Sequence, residues 1–360
     1  MNQGVDVIGS REDPHAQIRM ARALPVMLHS LSALREQFAI IFANRKIDTV
    51  VEVGVESGQV SSIYTELGAS AVHCVDPFPS DELRATLAKN PLLHLVEGHS
   101  PAVLAELPIA DLYVLDGDHN YAVVHAEVTW IMQNAPDAVV VLNDVLWPCA
   151  RRDLYYEPSP LTGDDKHESS SDGPTVWHDE LTPAGLVGLG AFTWAVQAGG
   201  ERNGVLTAVE DAVTEAGAAD WLLEVVPAVF GIGFLMRKAA PGTKKIMDQL
   251  RPFTSSKLLA TMEGNRIALY TRVLQMQFEA VAHADDADRL AETVATQRHE
   301  IEHLRAELEK RENQVHELRR ANQLLEQQLR DPLSVAPPDL GSAVNHLGRA
   351  AAARIRKSRR

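Results

Sequence analysis

The chain has 360 residues, 45% of them hydrophobic, and a formal net charge of −15, enough for one core of about 240 residues with appendages. That charge excludes a dedicated nucleic-acid surface, because a phosphate backbone would be repelled. The two cysteines, Cys74 and Cys149, stand far from any C-x-x-C spacing and exclude a disulfide framework, which predicts a reducing, cytoplasmic setting.

Residues 1–15 carry no apolar signal-type region, and the apolar stretch Trp221 to Met236 is interrupted by Glu224 and Pro227, short of the roughly 20 residues that cross a bilayer. A periodic segment from about Pro25 to Asn44 predicts a helix over the first strand, closing one side of a ligand pocket. The β-branched run Thr49 to Val53 predicts a strand buried on both faces. It runs into Gly54-Val55-Glu56-Ser57-Gly58, a turn in which glycine lets the backbone approach a ligand. The spacing is E-x-G-x-x-x-G rather than the G-x-G-x-x-G of a dinucleotide site. Glu52 at the strand end would repel a diphosphate and suits a cationic ligand.

After a predicted helix from about Ser57 to Leu67, a second strand, Ala71 to Val75, ends at Asp76. That lies about 20 residues beyond the glycine turn, where a carboxylate reaches ribose hydroxyls; a turn or cap before Pro77 is the alternative. A third strand, Leu93 to Val96, ends in the polar turn Glu97-Gly98-His99-Ser100. The fourth, Asp111 to Leu115, enters Asp116-Gly117-Asp118-His119-Asn120-Tyr121, and the fifth, Ala138 to Leu142, enters Asn143-Asp144-Val145. In an open parallel sheet, ligands bind beyond the carboxyl ends of the strands where strand order reverses, so Asp116, Asn143 and Asp144 should converge there. Two carboxylates and an amide carbonyl suit Mg²⁺ better than Zn²⁺, which prefers His and Cys. A turn for Asp-Gly-Asp and a helix cap for Asn-Asp is the other reading.

The Glu52–Gly58 motif resembles the first motif of the class I S-adenosylmethionine-dependent methyltransferases, and D-G-D-H-N-Y followed by N-D-V is similar to their metal-assisted sugar and small-molecule O-methyltransferases. The resemblance covers residues 45–150 by motif and extends more loosely to about 238. Ala150 to Pro158 with Gly200 to Leu206 is similar to a subgroup common among polysaccharide-modifying enzymes. The resemblance implies that Glu52, Gly54, Gly58, Asp76, Gly98, Ser100 and Asp116 bind S-adenosylmethionine. It implies that Asp116, Asn143 and Asp144 hold Mg²⁺. Asp116, His119 and Asp118 are the catalytic candidates: His119, beside the metal aspartate, is the expected general base because imidazole is the side chain suited to proton exchange near neutral pH, with a helix-capping role for His119 and Asp118 or His178 as base the alternatives. The Asn-Asp doublet departs from relatives, which often carry Asp-Asp, His-Asp or Asp-Asn.

Between Leu146 and Asn203 the periodicity fades, and Pro158 to Pro174 predicts a lid-like surface loop. Arg151, Arg152, Tyr155, Tyr156, Trp177, His178 and Trp194 supply donors and flat faces that favour a glycan or sugar-containing acceptor. A helix from about Gly204 to Ala216 and strands Trp221–Val226 and Phe230–Arg237 complete the fold. The expected class is α/β, a doubly wound, mostly parallel seven-stranded sheet with an antiparallel last strand, followed by a long helical coiled-coil extension.

In that extension, heptad position a (287, 294, 301, 308, 315, 322, 329) holds Ala, Val, Ile, Leu, Val, Asn and Leu. Position d (290, 297, 304, 311, 318, 325) holds Leu, Gln, Leu, Arg, Leu and Leu. This pattern, with Asn322 fixing register, predicts a homo-oligomer, a dimer first. Pro332 to Pro338 breaks the helix, and Ala343 to Arg360 is a basic segment able to touch an anionic membrane or an acidic partner. The expected divisions are 1–45, a cap helix; 46–240, the catalytic domain with an insertion at about 150–203; 241–284, a helical connector; 285–330, the coiled coil; and 331–360, linker and tail. Two rival functions stand beside the methyltransferase: a coiled-coil scaffold whose domain mainly binds cofactor or partner, and an NAD-dependent oxidoreductase, against which the missing G-x-G-x-x-G counts.

Overall fold

The structure is a computed structural model that describes residues 13, 15, 18–19, 31–330 and 340–357. The first residues of the cap helix, 25–30, and the break from Pro332 to Pro338 lie outside them. The chain forms two compact units, Met1–Ala280 and Val281–Arg360.

The first unit is built on a seven-stranded sheet. Its strands are β1 (Thr49–Val53), β2 (Ala71–Asp76), β3 (Leu93–Glu97), β4 (Leu112–Leu115), β5 (Val139–Leu142), β9 (Trp221–Val226) and β10 (Ile232–Arg237), in the order β3-β2-β1-β4-β5-β10-β9. β1 to β5 pair in parallel, while β10 runs antiparallel to both β5 and β9. The expected class is therefore the observed one. The β4 residues Leu-Tyr-Val-Leu and the β5 residues Val-Val-Val-Leu are buried throughout, as strands covered on both faces must be.

Each face has its own apolar layer. Val51, Val53, Tyr113, Leu115, Val140 and Leu142 face helices α4 (Tyr121–Asn134) and α5 (Val205–Glu215). Val50, Val72, Cys74, Val114, Val139 and Val141 share the opposite layer with α1 (Arg35–Asn44), α2 (Ser61–Leu67), α3 (Asp81–Leu87) and α6 (Thr243–Thr254). α1 does pack over the first strand. Its Phe38 meets Tyr64 of α2 edge to face with ring centroids 5.2 Å apart, so it supports the site through Tyr64.

Two local expectations are corrected. The helix after the glycine turn begins at Ser61, not Ser57, because Glu56 and Gly58 take positive φ, which a right-handed helix cannot hold. Pro158 to Pro174 is mostly loop, broken by a short turn at Gly163–Asp165 and by β7 (Ser169–Ser170), which joins β6 (Leu154–Tyr156) and β8 (Phe192–Ala195) of the surrounding insertion in a small antiparallel sheet of order β6-β8-β7. Two- to four-residue strands are too short to leave a periodic signature. The core also continues past Arg237: Ile246 and Leu250 of α6 are fully buried, and Thr271 of α7 (Lys257–Arg330) is too.

Residues of α7 from 281 onward are exposed, Leu290, Val294, Ile301, Leu304, Leu308, Val315, Leu318, Leu325 and Leu329 among them. α8 (Leu340–Lys357) follows. Among the described residues, no helix is long and apolar enough to cross a membrane.

Candidate active site

Strand order reverses between β1 and β4, and the loops leaving these two strands are in backbone contact. Gly54 has φ +82°, and a Cβ there would sit 2.2 Å from the Asp116 carbonyl oxygen, so no other residue lets the loops close. The Gly54 N–H donates to the Val75 carbonyl at 2.9 Å, and the Asp116 N–H to that of Val53 at 2.8 Å. Gly58 also has positive φ, but its Cβ direction meets Leu87 and Leu83 of α3 at 3.2 and 3.3 Å. It seats the turn on that helix.

Glu52 is buried, 2% exposed, with Ser61 and Tyr64 donating hydroxyls to its carboxylate and Cys74 beside it. Burial pushes its carboxyl up to about 7 against the lowering effect of those two hydroxyls. Asp76, at the end of β2, accepts the N–H of Phe78 at 2.8 Å through Oδ1. It therefore makes the turn that leads to α3, whose cap is Ser80 rather than Asp76. Gly98 and Ser100 lie in the turn after β3, where a Cβ on Gly98 would collide with Val103 at 2.3 Å.

Beyond β4 and β5 the predicted convergence occurs. Asn143 Nδ2 donates to Asp116 Oδ1 at 2.5 Å, and His119 Nε2 lies 4.0 Å from that oxygen and 3.7 Å from Asp144 Oδ2. Burial and then the charge of Asp144 hold the Asp116 carboxyl well above the usual range. Asp144 is raised by its own burial, with His119 and Arg266 opposing. Asp118 is raised by burial too, countered by His119 and His99. Asp144 has φ +55°, a strained backbone of the kind that gathers at functional sites.

Tyr156 reaches the same cluster. Its residue is 45% exposed, yet its hydroxyl is buried, and that burial followed by Asp116 and Asp144 raises the phenol. Cys149, 3.9 Å from Asp144, is buried and its thiol pushed far up, so it is an inert loop thiol.

The donor set bears on the expected metal. Asn143 Oδ1 is buried and has no hydrogen-bond partner beside two repelling carboxylates, which is hard-oxygen chemistry. Among the described residues, no three His, Cys, Asp or Glu are grouped to hold an ion by themselves.

Most of the residues expected to face a sugar serve the fold instead. Arg152 donates to the carbonyls of Ala195 and Val196, Tyr155 to Asp153, Trp194 to the Leu186 carbonyl, and Arg151 pairs with Glu210. Trp177, Tyr156 and His178 remain exposed. Their neighbours were drawn inward by the small sheet, which the sequence pattern did not disclose.

Two residues escaped the sequence reading. Asp153, 1% exposed, accepts the N–H groups of Tyr121 and Gly204, both at 2.7 Å, and the Tyr155 hydroxyl at 2.8 Å. It thereby ties the α4 start, just after His119, to the insertion. Glu263 of α7 accepts the Phe230 N–H at 2.7 Å, pinning a loop where Val229 and Phe230 both take positive φ. That loop pairs with Val145 and Leu146, next to Asp144. A carboxylate directly after two arginines, in Arg151-Arg152-Asp153, was the available signal for Asp153; Glu263 looked like any exposed helix residue.

Residues 51–145 match the family model described as a methyltransferase domain. No curated protein matches the chain. Among solved structures, a Podospora anserina methyltransferase bound to S-adenosylhomocysteine aligns over 61% of this chain and 85% of its own at 14% identity, with TM-score 0.36. A Bacillus cereus O-methyltransferase with the same ligand aligns over 62% and 88% at 13% identity and TM-score 0.37. A Geobacter sulfurreducens methyltransferase aligns over 61% and 85% at 16% identity and TM-score 0.34. Residues 51–145 thus match a methyltransferase domain, and the sheet order with its single antiparallel strand is the one expected of that fold.

Proposed function

We propose that the chain transfers a methyl group to a hydroxyl of a glycan or other sugar-containing acceptor, in a cytoplasmic setting that keeps Cys74 and Cys149 as free thiols. The observation that carries the reading is the buried, mutually repelling acid cluster of Glu52, Asp116 and Asp144 at the point of strand reversal, which calls for a cationic ligand. S-adenosylmethionine, when bound, supplies an electrophilic methyl group on a sulfonium cation. Glu52 and the Gly54 turn would hold its methionine part, and Asp76 the ribose hydroxyls.

His119 is the proposed general base. Its Nε2 lies near Asp116 and Asp144, which would stabilise the imidazolium formed as the acceptor hydroxyl gives up its proton. The rest of the rate comes from holding the reacting atoms about 3 to 3.5 Å apart and in line. The exposed rings of Tyr156 and Trp177 would offer the acceptor flat faces. Mg²⁺ is part of the proposal: Asp116, Asn143 and Asp144 would hold it, and it would supply Lewis acidity at the acceptor oxygen. The exposed heptad stripe would join a second copy of the chain, and the basic residues after Gly348 would contact an anionic membrane or acidic partner.

Asp76→Ala should weaken S-adenosylhomocysteine binding by about 1.5 to 3 kcal/mol, measured by calorimetry; wild-type affinity together with effective NAD competition would reverse the assignment. Glu52→Gln adds a pH signature. A carboxyl raised from 4.5 to about 7 on folding destabilises the fold progressively as pH rises from 4.5 to 7 and uniformly above. The variant should therefore gain stability over wild type across that window, on the order of 3 kcal/mol at most, while binding cofactor more weakly.

Calorimetric titration of the cofactor complex with Mg²⁺ should show binding that Asp144→Ala abolishes, and EDTA should stop turnover. Full turnover in EDTA would leave the proton transfer to His119 alone. By light scattering the full chain should be a dimer, and a truncation after Ala280 a folded monomer. A truncation after Ala240, which removes buried Ile246 and Leu250, should lose stability by several kcal/mol. A monomeric full chain would remove the coiled coil from the account.

A further inference from the structure

Within the first unit, α7 has two opposed faces. Glu263, Ile267 and Thr271, spaced four apart, are buried against the domain, and Tyr270 and Leu274 pack beside them. On the other side Met262, Leu269, Val273 and Met276 are each between 49% and 68% exposed. They follow one another at intervals of seven, four and three residues, so they line up as one stripe along the helix. Single exposed apolar residues need no explanation, but a contiguous stripe of them marks an interaction site.

The spacing identifies what covers it. Counting back by sevens from Ala287 and Leu290 puts Val273 and Ala280 at heptad position a, and Met262, Leu269 and Met276 at position d. The pattern that predicts the coiled coil beyond residue 285 therefore runs about three heptads further toward the N-terminus, along a helix whose inner face belongs to the first unit. Arg266, also at a, is where the seam turns inward: it pairs with Glu263 and lies over the Phe230 ring, 4.4 Å from its centroid. The flanking positions fit a parallel pair. Arg272 at g of one copy would face Gln277 at e of the other, Glu279 would face Ala284, and no like charges are opposed. This segment also reaches the surroundings of the site, because Glu263 pins the Phe230 loop and Arg272 lies 5.9 Å from the Trp177 ring.

We propose that the interface between two copies continues into the first unit along Met262, Leu269, Val273 and Met276, seating a second copy against the helix that holds the loop beside Asp144. This rests on the reading of the exposed heptads as a dimer. Four side chains fall well short of the ~800 Å² per partner of a stable interface, so a chain cut after Ala280 stays monomeric. Once the distal heptads pair, the two stripes meet at an effective concentration on the order of millimolar.

Mild oxidation of full-length variants, each with one added cysteine, tests the proposal, since Cys74 and Cys149 are buried. Cysteines at position d of a parallel pair lie close enough to bridge. Leu269→Cys and Met276→Cys should give covalent dimers as completely as the distal Leu290→Cys, while Thr261→Cys, exposed at position c, should run as a monomer on a denaturing gel. All four positions are exposed, so the variants should fold. Bridging at 290 without bridging at 269 and 276, or equal bridging at 261, would overturn the proposal and leave the coiled coil standing. No bridging at any position, 290 included, would overturn the dimer reading and this proposal with it.

Discussion

The structure depends on placing carboxylates where the sheet can least accommodate them. Glu52, Asp116 and Asp144 stand at the ends of the three central strands, where burial raises the proton affinity of each and the charges of Asp144 and Glu52 raise that of Asp116 further. Left alone, such a cluster subtracts from stability at neutral pH. A fold optimised only for packing would put valine or leucine there, as β4 and β5 do along their whole buried length. Retaining acids at the reversal point is a stability cost, and the proposed site for a cationic cofactor accounts for it.

The surroundings make that cost bearable. Ser61 and Tyr64 donate to Glu52, Asn143 to Asp116, and His119 and Arg266 lean on Asp144. Strain is tolerated because neighbours hold it: the positive φ of Gly54 is required by contact with Asp116. The unusual backbone of Val229 and Phe230 is held by Glu263, itself ion-paired to Arg266. Asp153 serves the other side, binding the start of α4 to the insertion. The geometry of the proposed site is set by elements that come from distant parts of the chain, α7 included.

The sheet was legible because β-branched runs ending in Gly or Asp read the same way whether or not neighbours are known. Glu52, Asp76, Asp116, Asn143 and Asp144 all fall at strand ends that the sequence pattern alone marks. Within the insertion, legibility ended. Arg152, Tyr155 and Trp194 look like ligand-facing residues in one dimension, and only the pairing of β6 with β8 turns them inward. Glu263 was hidden for a related reason. A glutamate on a helix is ordinarily solvated, and nothing local distinguishes one that a tertiary contact buries. The expectation that the core ends near Arg237 failed because α6 carries its apolar residues within a charged sequence, Thr-Lys-Lys-Ile-Met-Asp-Gln-Leu.

The central claim is that the acid-lined crevice delivers a methyl group from S-adenosylmethionine to an acceptor hydroxyl. It is tested most directly by incubating the enzyme and a sugar-rich cell extract with cofactor carrying a deuterated methyl group, then following products by mass spectrometry. The account predicts an acceptor that gains one intact deuterated methyl on oxygen, with one S-adenosylhomocysteine released per transfer and both lost in Asp116→Asn. Label on nitrogen or carbon, or a labelled product that Asp116→Asn forms as fast as wild type, would contradict it.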